Sequence, residues 1–244
     1  MFNLTEKKVL ITGATGGIGN SLVEKFYSEK SLVIATGTNN EKLNNLKNKF
    51  PKLKIINFSL DKHSEIENFI DNVHNEFNGL DIVINNAGIT KDNLSIRMKD
   101  EEWKRVIDLN LTSTFLICKF SIKKFLKQKK GKIINITSIV GHTGNVGQTN
   151  YTASKAGIVA FSKSLSLEYS KKNININCIS PGFIKTEMTE KIPEEYRKVI
   201  EGKISCGKLG DPLDVTNCAL FLASDLSDYI HGETIHVNGG MYMA

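Results

Sequence analysis

The sequence predicts an α/β fold: a parallel, doubly wound sheet of about seven strands with helices on both faces. Two observations carry that expectation. Short β-branched apolar runs alternate with segments of helical periodicity along the whole 244-residue chain. The first run leads straight into a glycine-rich turn that opens a helix, T-G-A-T-G-G-I-G over 12–19. No linker or internal repeat interrupts this alternation, so a single domain over 1–244 is expected.

The strands fall on runs too short for helices and too continuously apolar for solvent-facing edges, as burial on both faces requires. K-V-L-I-T at 8–12 is the first, and the glycine turn feeds a helix at 18–28. L-V-I-A-T at 32–36 precedes a polar helix at 41–49, and L-K-I-I-N-F at 53–58 precedes one at 64–77. L-D-I-V-I-N at 80–85 runs into N-N-A-G, and a long helical pattern covers 100–127. K-I-I-N-I-T at 132–137 leads to Ser138 and a helix at 151–169. I-N-I-N-C-I at 174–179 ends at Pro181-Gly182, and T-I-H-V-N at 234–238 follows a helix at 212–222. Residues 185–210 fit neither pattern. Charged, broken by Pro193 and long for a connection, they read as a substrate lid or else a surface excursion.

Composition narrows the function. Hydrophobic residues make up 40% and charged residues 24%, an ordinary balance, and no apolar run reaches the ~18 residues of a membrane span. The opening M-F-N-L-T-E-K-K lacks the apolar core of a secretion signal, so a cytoplasmic protein away from membranes is expected. Cys118, Cys178, Cys206 and Cys218 form no C-x-x-C pair, and the five histidines show no metal-binding spacing. Packed, reduced thiols and no metal are expected. Net charge is +6, with lysines at 123, 124, 127, 129, 130 and 132 and again at 171 and 172. That patch is either a solvated helix face or a docking surface for an acidic partner. Nucleic acid is a weaker candidate, because no aromatics are interleaved and no binding motif is present.

Glycines at 13, 17 and 19 allow a tight turn and close backbone approach, which seats a pyrophosphate on the N–H groups of the following helix. With Thr15, Gly16 and Ile18 the turn reads as a dinucleotide site. An acid about 20 residues on often bonds the ribose 2′-hydroxyl of NAD. Here the second strand ends T-G-T-N-N at 36–40, with no acid before Glu41. Thr15, Thr38 and Asn39 can donate to a 2′-phosphate instead, although no arginine stands there to pair with it. NADP(H) is favoured over NAD(H) on that ground. Asn86, Ala87 and Gly88 either let a ring pass close to the backbone or form a plain strand-end turn.

Chemistry enters at 138–155. Tyr151 and Lys155 are four apart, hence on one face of a helix. Tyrosine ordinarily titrates near 10, and an ammonium one turn away favours the phenolate, so a lowered value is expected. With Ser138 holding a carbonyl oxygen, Tyr151 can protonate it, a role that contributes ~10²–10⁴ in rate.

Taken together, T-G-x-x-x-G-x-G, N-N-A-G, Ser138, Y-x-x-x-K and Pro181-Gly182 resemble the short-chain dehydrogenase/reductase family over essentially the whole chain. That resemblance implies a Rossmann-type fold. N-A-G-I-T-K-D-N-L at 86–94, G-N-V-G-Q-T-N-Y at 144–151 and G-E-T-I-H-V-N-G-G-M-Y-M at 232–243 are similar to one branch of the family. Its members use NADPH to reduce 3-oxoacyl chains on acyl carrier protein in fatty acid biosynthesis. The resemblance then implies that Asn110 joins Ser138, Tyr151 and Lys155 and helps reprotonate Tyr151, and that Lys155 also bonds the nicotinamide ribose. Ile184 and Thr186 would line the nicotinamide, Ser59 and Leu60 the adenine, and Gln148 the substrate. Lys129 and Lys172 would face the acidic carrier. A homotetramer built on the helices at 100–127 and 151–169 is also implied. Ala153, Ala156, Gly157 and Ala160 serve either that contact or internal packing. Departures stand at Gly16, where NADP-using relatives often carry arginine, at Ser59, shorter than the usual Asp or Asn, and at Lys129 and Lys172, which lack arginine's bidentate fork.

Two rival readings share the fold. One is a reductase of acetoacetyl-CoA or another small ketone. The other is a nucleotide-sensing scaffold without catalysis, against which the complete set Asn110, Ser138, Tyr151 and Lys155 argues.

Overall fold

The computed structural model describes residues 2–190 and 193–244. Its strands are β1 (Lys8–Ile11), β2 (Leu32–Gly37), β3 (Lys54–Asn57), β4 (Ile82–Asn85), β5 (Gly131–Ile136), β6 (Ile174–Pro181) and β7 (Thr234–Val237). All pair in parallel, in the order β3-β2-β1-β4-β5-β6-β7. The helices are α1 (Gly17–Ser28), α2 (Asn40–Lys49), α3 (Ile66–Glu76), α4 (Asp100–Val106), α5 (Ser113–Gln128), α6 (Val140–Thr143), α7 (Thr149–Tyr169), α8 (Glu187–Glu190), α9 (Glu194–Glu201) and α10 (Pro212–Ala223). The expected fold class is the one observed.

Alternation along each strand builds two cores. Val9 and Ile11 join Leu22 and Phe26 of α1 and Val215 and Leu220 of α10 on one face. Leu10 points the other way, to Ile70 of α3 and Ile117 and Phe125 of α5. Each such fully buried side chain stabilises the fold by about 1.5–3 kcal/mol. Capping sets where α10 starts: Pro212 holds the first helical position, and the Asp211 N–H donates to Asp214 Oδ2 at 2.8 Å.

The helical stretch expected at 100–127 carries a flaw that periodicity does not show. Between α4 and α5, Ile107–Thr112 is π-helical. Ser113 Oγ donates to the Leu109 carbonyl and Thr114 Oγ1 to the Asn110 carbonyl (2.6 Å), giving partners to carbonyls where the register shifts. The widened turn leaves Asn110 completely buried.

The excursion at 185–210 is pinched at its base by an Ile184–Gly210 bridge, with the Lys185 N–H donating to the Gly210 carbonyl at 2.9 Å. Its return half is anchored: Ile204 and Leu209 are buried, and Ser205 Oγ donates to the Gly240 carbonyl at 2.8 Å. By contrast α9 buries no residue, and Tyr196 and Val199 are exposed. Positions 191 and 192 of the expected lid lie outside the described residues.

Much of the basic patch is compensated. Lys123 pairs with Glu67, Lys124 with Asp71, Lys130 with Asp225 and buried Lys132 with Asp228, at 2.6–3.1 Å. Among the described residues no helix is long and apolar enough to cross a membrane, and no cluster of three His, Cys, Asp or Glu side chains could hold a metal.

Candidate active site

The strand order reverses between β1 and β4, so the loops at their carboxyl ends part there. A cleft of about 750 Å³ opens at that edge, within the range of small-molecule sites. Its floor is backbone laid on backbone. Gly13 has φ +61°, and a Cβ there would lie 2.7 Å from Ala87 Cα; one on Gly19 would lie 2.1 Å from the Gly13 carbonyl oxygen. Asn86 Nδ2 ties the two loops together by donating to the Thr12 and Gly13 carbonyls at 3.2 and 3.0 Å. Above this floor α1 begins with no capping side chain and no acid in its first turn. Its N–H groups and positive dipole end thus suit an anion such as a pyrophosphate.

Every residue the sequence assigned to the cofactor lines the cleft except Thr38, Ser59 and Leu60. The Thr38 carbonyl instead accepts from Asn57 Nδ2 at 3.3 Å. Ser59 Oγ donates to Asp61, which is ion-paired with Arg105, and Leu60 is buried in the second core. Lys42, Thr90 and Phe183 line the cleft and were not assigned from sequence.

Tyr151, Ser138 and Lys155 share one wall. Lys155 is 4% exposed, and its Nζ donates to the Ile136 carbonyl at 2.9 Å, anchoring α7 to the end of β5. Burial pushes its pKa down to about 8. Asn110 stands behind the wall: a Cβ on Gly88 would lie 3.5 Å from both Asn110 Oδ1 and Lys155 Nζ. Asn110 is locked to the loop after β4, accepting from the Ile89 N–H and donating to the Ile89 carbonyl, both at 2.9 Å.

Tyr151 corrects an expectation. Its pKa is pushed up to about 12, not lowered. Burial is the main cause; the Ser138 hydrogen bond opposes it and the Asp92 carboxylate adds to it. Lys155 does not offset that burial: its Nζ lies 5.5 Å from the ring centroid and donates its hydrogen bond to a carbonyl.

Two loops are laced at the mouth. Gln148 Nε2 donates to Asp92 Oδ2 (2.9 Å) while its Oε1 accepts from Asn145 Nδ2 (2.9 Å), and the Asn93 N–H donates to the Gly147 carbonyl (2.8 Å). Asn150, fully buried, donates to the Lys91 carbonyl and accepts from the Tyr151 N–H, which fixes where α7 enters the cleft. Lys129 and Lys172 are elsewhere. One ends α5 just before β5 and the other closes a 3₁₀ turn just before β6, so both sit at the amino ends of strands whose carboxyl ends hold the cleft. A six-residue strand, ~20 Å, separates Lys129 from Ser138.

The fold, the switch-point cleft and the Tyr-Lys helix define a class of nucleotide-dependent oxidoreductase. The profile of the short chain dehydrogenase family matches residues 7–197, and the chain belongs to that family. Among curated relatives, a 3-oxoacyl-(acyl-carrier-protein) reductase FabG from Rickettsia felis is 48% identical over all of both chains. Its counterpart from Aquifex aeolicus is 43% identical over 98% of each. Nodulation protein G of Rhizobium sp. (strain N33) is 41% identical over the full length of both.

Proposed function

We propose that this chain reduces 3-oxoacyl-(acyl-carrier-protein) to the 3-hydroxyacyl thioester with NADPH, in the cytoplasm, as a step of fatty acid biosynthesis. The full-length similarity to reductases so named supports the substrate class. The observation that carries the chemistry is the shared wall of Ser138, Tyr151 and Lys155 over a glycine-built, anion-seeking floor.

When bound, the reduced nicotinamide supplies a hydride to the carbonyl carbon. Ser138 holds the carbonyl oxygen, and Tyr151 gives it the phenolic proton as the C=O electron pair moves onto oxygen. With a pKa of about 12, Tyr151 is in its acid form throughout the physiological range. The nascent alkoxide is a stronger base than a phenolate, so the transfer still runs toward product. Lys155, charged at neutral pH with a pKa of about 8, stabilises the transient phenolate, and Asn110 beside its ammonium supports the route by which the phenol is reprotonated. Gln148, held by Asp92 and Asn145, would meet the acyl chain.

The lid in this reading centres on α9, which buries no residue, with the excursion hinged on the Ile184–Gly210 bridge. Exposed Phe115, Leu126 and Leu167 on α5 and α7 support a homotetramer through those helices. Gly157 packs internally, where a Cβ would lie 3.0 Å from Leu111. Carrier docking on Lys129 and Lys172 suits delivery to a neighbouring copy's cleft better than to this chain's own.

Tyr151→Phe tests the chemistry. It should fold and bind NADPH yet lose at least ~10²-fold in turnover of an acetoacetyl carrier thioester; near-normal turnover would remove Tyr151 as the acid. Parallel rates on acetoacetyl-CoA separate the carrier-linked from the small-ketone reading.

A further inference from the structure

We infer that Lys42 is the cation that recognises the 2′-phosphate of NADP(H), and that Glu187 holds the place of that phosphate until the nucleotide arrives. The inference rests on the nucleotide-binding part of the proposed function and adds a residue that sequence reasoning did not identify.

In a dinucleotide fold the adenosine ribose 2′ position lies at the carboxyl end of the second strand, where an acid selects NAD and a cation accommodates the phosphate of NADP. Here β2 ends on Gly37, and a Cβ there would lie 3.3 Å from Thr15 Oγ1, so the Thr15 hydroxyl covers the strand end. Asn39 then caps α2: its Oδ1 accepts from the Lys42 N–H at 2.9 Å. This cap fixes the first turn and puts Lys42 on the cleft wall with Asn39 and Thr15. Three residues able to donate to a 2′-phosphate therefore line the cleft beside the end of β2. Glu41, the acid of that turn, is not part of the lining.

Lys42 already binds an oxyanion. Its Nζ meets both carboxylate oxygens of Glu187, at 3.0 and 2.9 Å, although Glu187 lies 145 residues away in α8. Both side chains remain substantially exposed, 44% and 77%, so the pair costs little to break. A phosphate dianion carries more charge than a carboxylate and offers oxygens in every direction, which suits the point charge of an ammonium. Gly16, where a side-chain cation is missing from the glycine turn, leaves that task to α2. A phosphate on Lys42 and the Glu187 carboxylate repel each other, so an NADP-type nucleotide displaces Glu187 while an NAD-type one does not.

Direct binding tests this without any substrate. Dissociation constants for NADPH, NADH, 2′,5′-ADP and 5′-AMP would be measured by calorimetry or nucleotide fluorescence on wild type, Lys42→Met, Lys42→Arg and Glu187→Gln, with thermal melts confirming folding. Lys42→Met should weaken NADPH and 2′,5′-ADP by about tenfold or more and leave NADH and 5′-AMP within about twofold. Lys42→Arg should restore most of the loss, and Glu187→Gln should tighten NADPH and 2′,5′-ADP while leaving NADH and 5′-AMP unchanged. Equal weakening of all four ligands, or none, in Lys42→Met overturns the assignment of Lys42. Unchanged 2′,5′-ADP affinity in Glu187→Gln overturns the place-holding role. A wild type that binds neither NADPH nor NADH overturns the reductase reading itself, and this inference with it.

Discussion

Lys155 should make the protein less stable at neutral pH than an uncharged side chain of the same shape would. Its ammonium is 4% exposed, and burial lowers its pKa from 10.5 to about 8. Between those values the unfolded chain binds a proton that the folded one does not, so stability rises as pH climbs from about 8 toward 10.5. Below 8 both states are protonated and the fold carries the whole penalty. A shift of about 2.5 units corresponds to ~3 kcal/mol. Lys155→Met removes that penalty and also the hydrogen bond to the Ile136 carbonyl, which is worth about 1 kcal/mol. The net gain at pH 7 is ~2 kcal/mol, a rise in Tm of about 4–8 °C for a chain of this size. At pH 10 the penalty on wild type has fallen below ~1 kcal/mol, and the two proteins should melt together. Calorimetric melts at both pH values and one fixed protein concentration decide it. A variant that melts below wild type at pH 7, or a gap that is the same at pH 7 and pH 10, would refute the idea that burial of the charge governs this site.

Packing and thiol chemistry give two further checks. A Cβ on Gly131 would lie 2.1 Å from Cγ of the fully buried Phe125 ring, so Gly131→Ala should cost about 1–3 kcal/mol in urea unfolding; a neutral result would contradict the contact between α5 and the start of β5. Burial raises the thiol of Cys118 to about 12 and those of Cys178 and Cys218 to about 11, whereas Cys206 is exposed. Ellman's reagent at pH 7.5 should therefore find one fast thiol in the native protein and four after denaturation. Two fast thiols would show that the cores open more readily than the packing implies.

The sheet was legible because each strand is buried on both faces and so appears as a continuous apolar run; K-V-L-I becomes β1 with Val9, Leu10 and Ile11 fully buried. The order of the strands was not, since nothing in β4 states that it returns to the far side of β1. Ser138, Tyr151 and Lys155 were legible as a strand end followed by an i, i+4 pair. Asn110 was reachable only by resemblance, because the π turn that buries it hides inside an unbroken helical periodicity. Lys42 was invisible for another reason. Its neighbours in sequence are polar and unremarked, and its anion comes from α8.

The one expectation that reversed concerns acidity, and the reversal follows from what spacing can encode. An i, i+4 relation puts an ammonium near a phenol but says nothing of the medium between them. Two unit charges about 4–6 Å apart, in a medium of effective dielectric about 20, attract by roughly 3–4 kcal/mol. Desolvating a phenolate and an ammonium together costs at least as much, and both groups respond by favouring their neutral forms: Tyr151 rises to about 12 and Lys155 falls to about 8. For a reductase this is the useful outcome. A tyrosine lowered toward neutrality would spend part of its time as a phenolate, unable to donate. One held at about 12 is always loaded and releases its proton only to a base as strong as an alkoxide, which hydride transfer creates at that spot. On the proposed reading the pair would act as an acid gated by the reaction itself, and Lys155 would contribute most after the proton has left, when the phenolate it faces is at last charged.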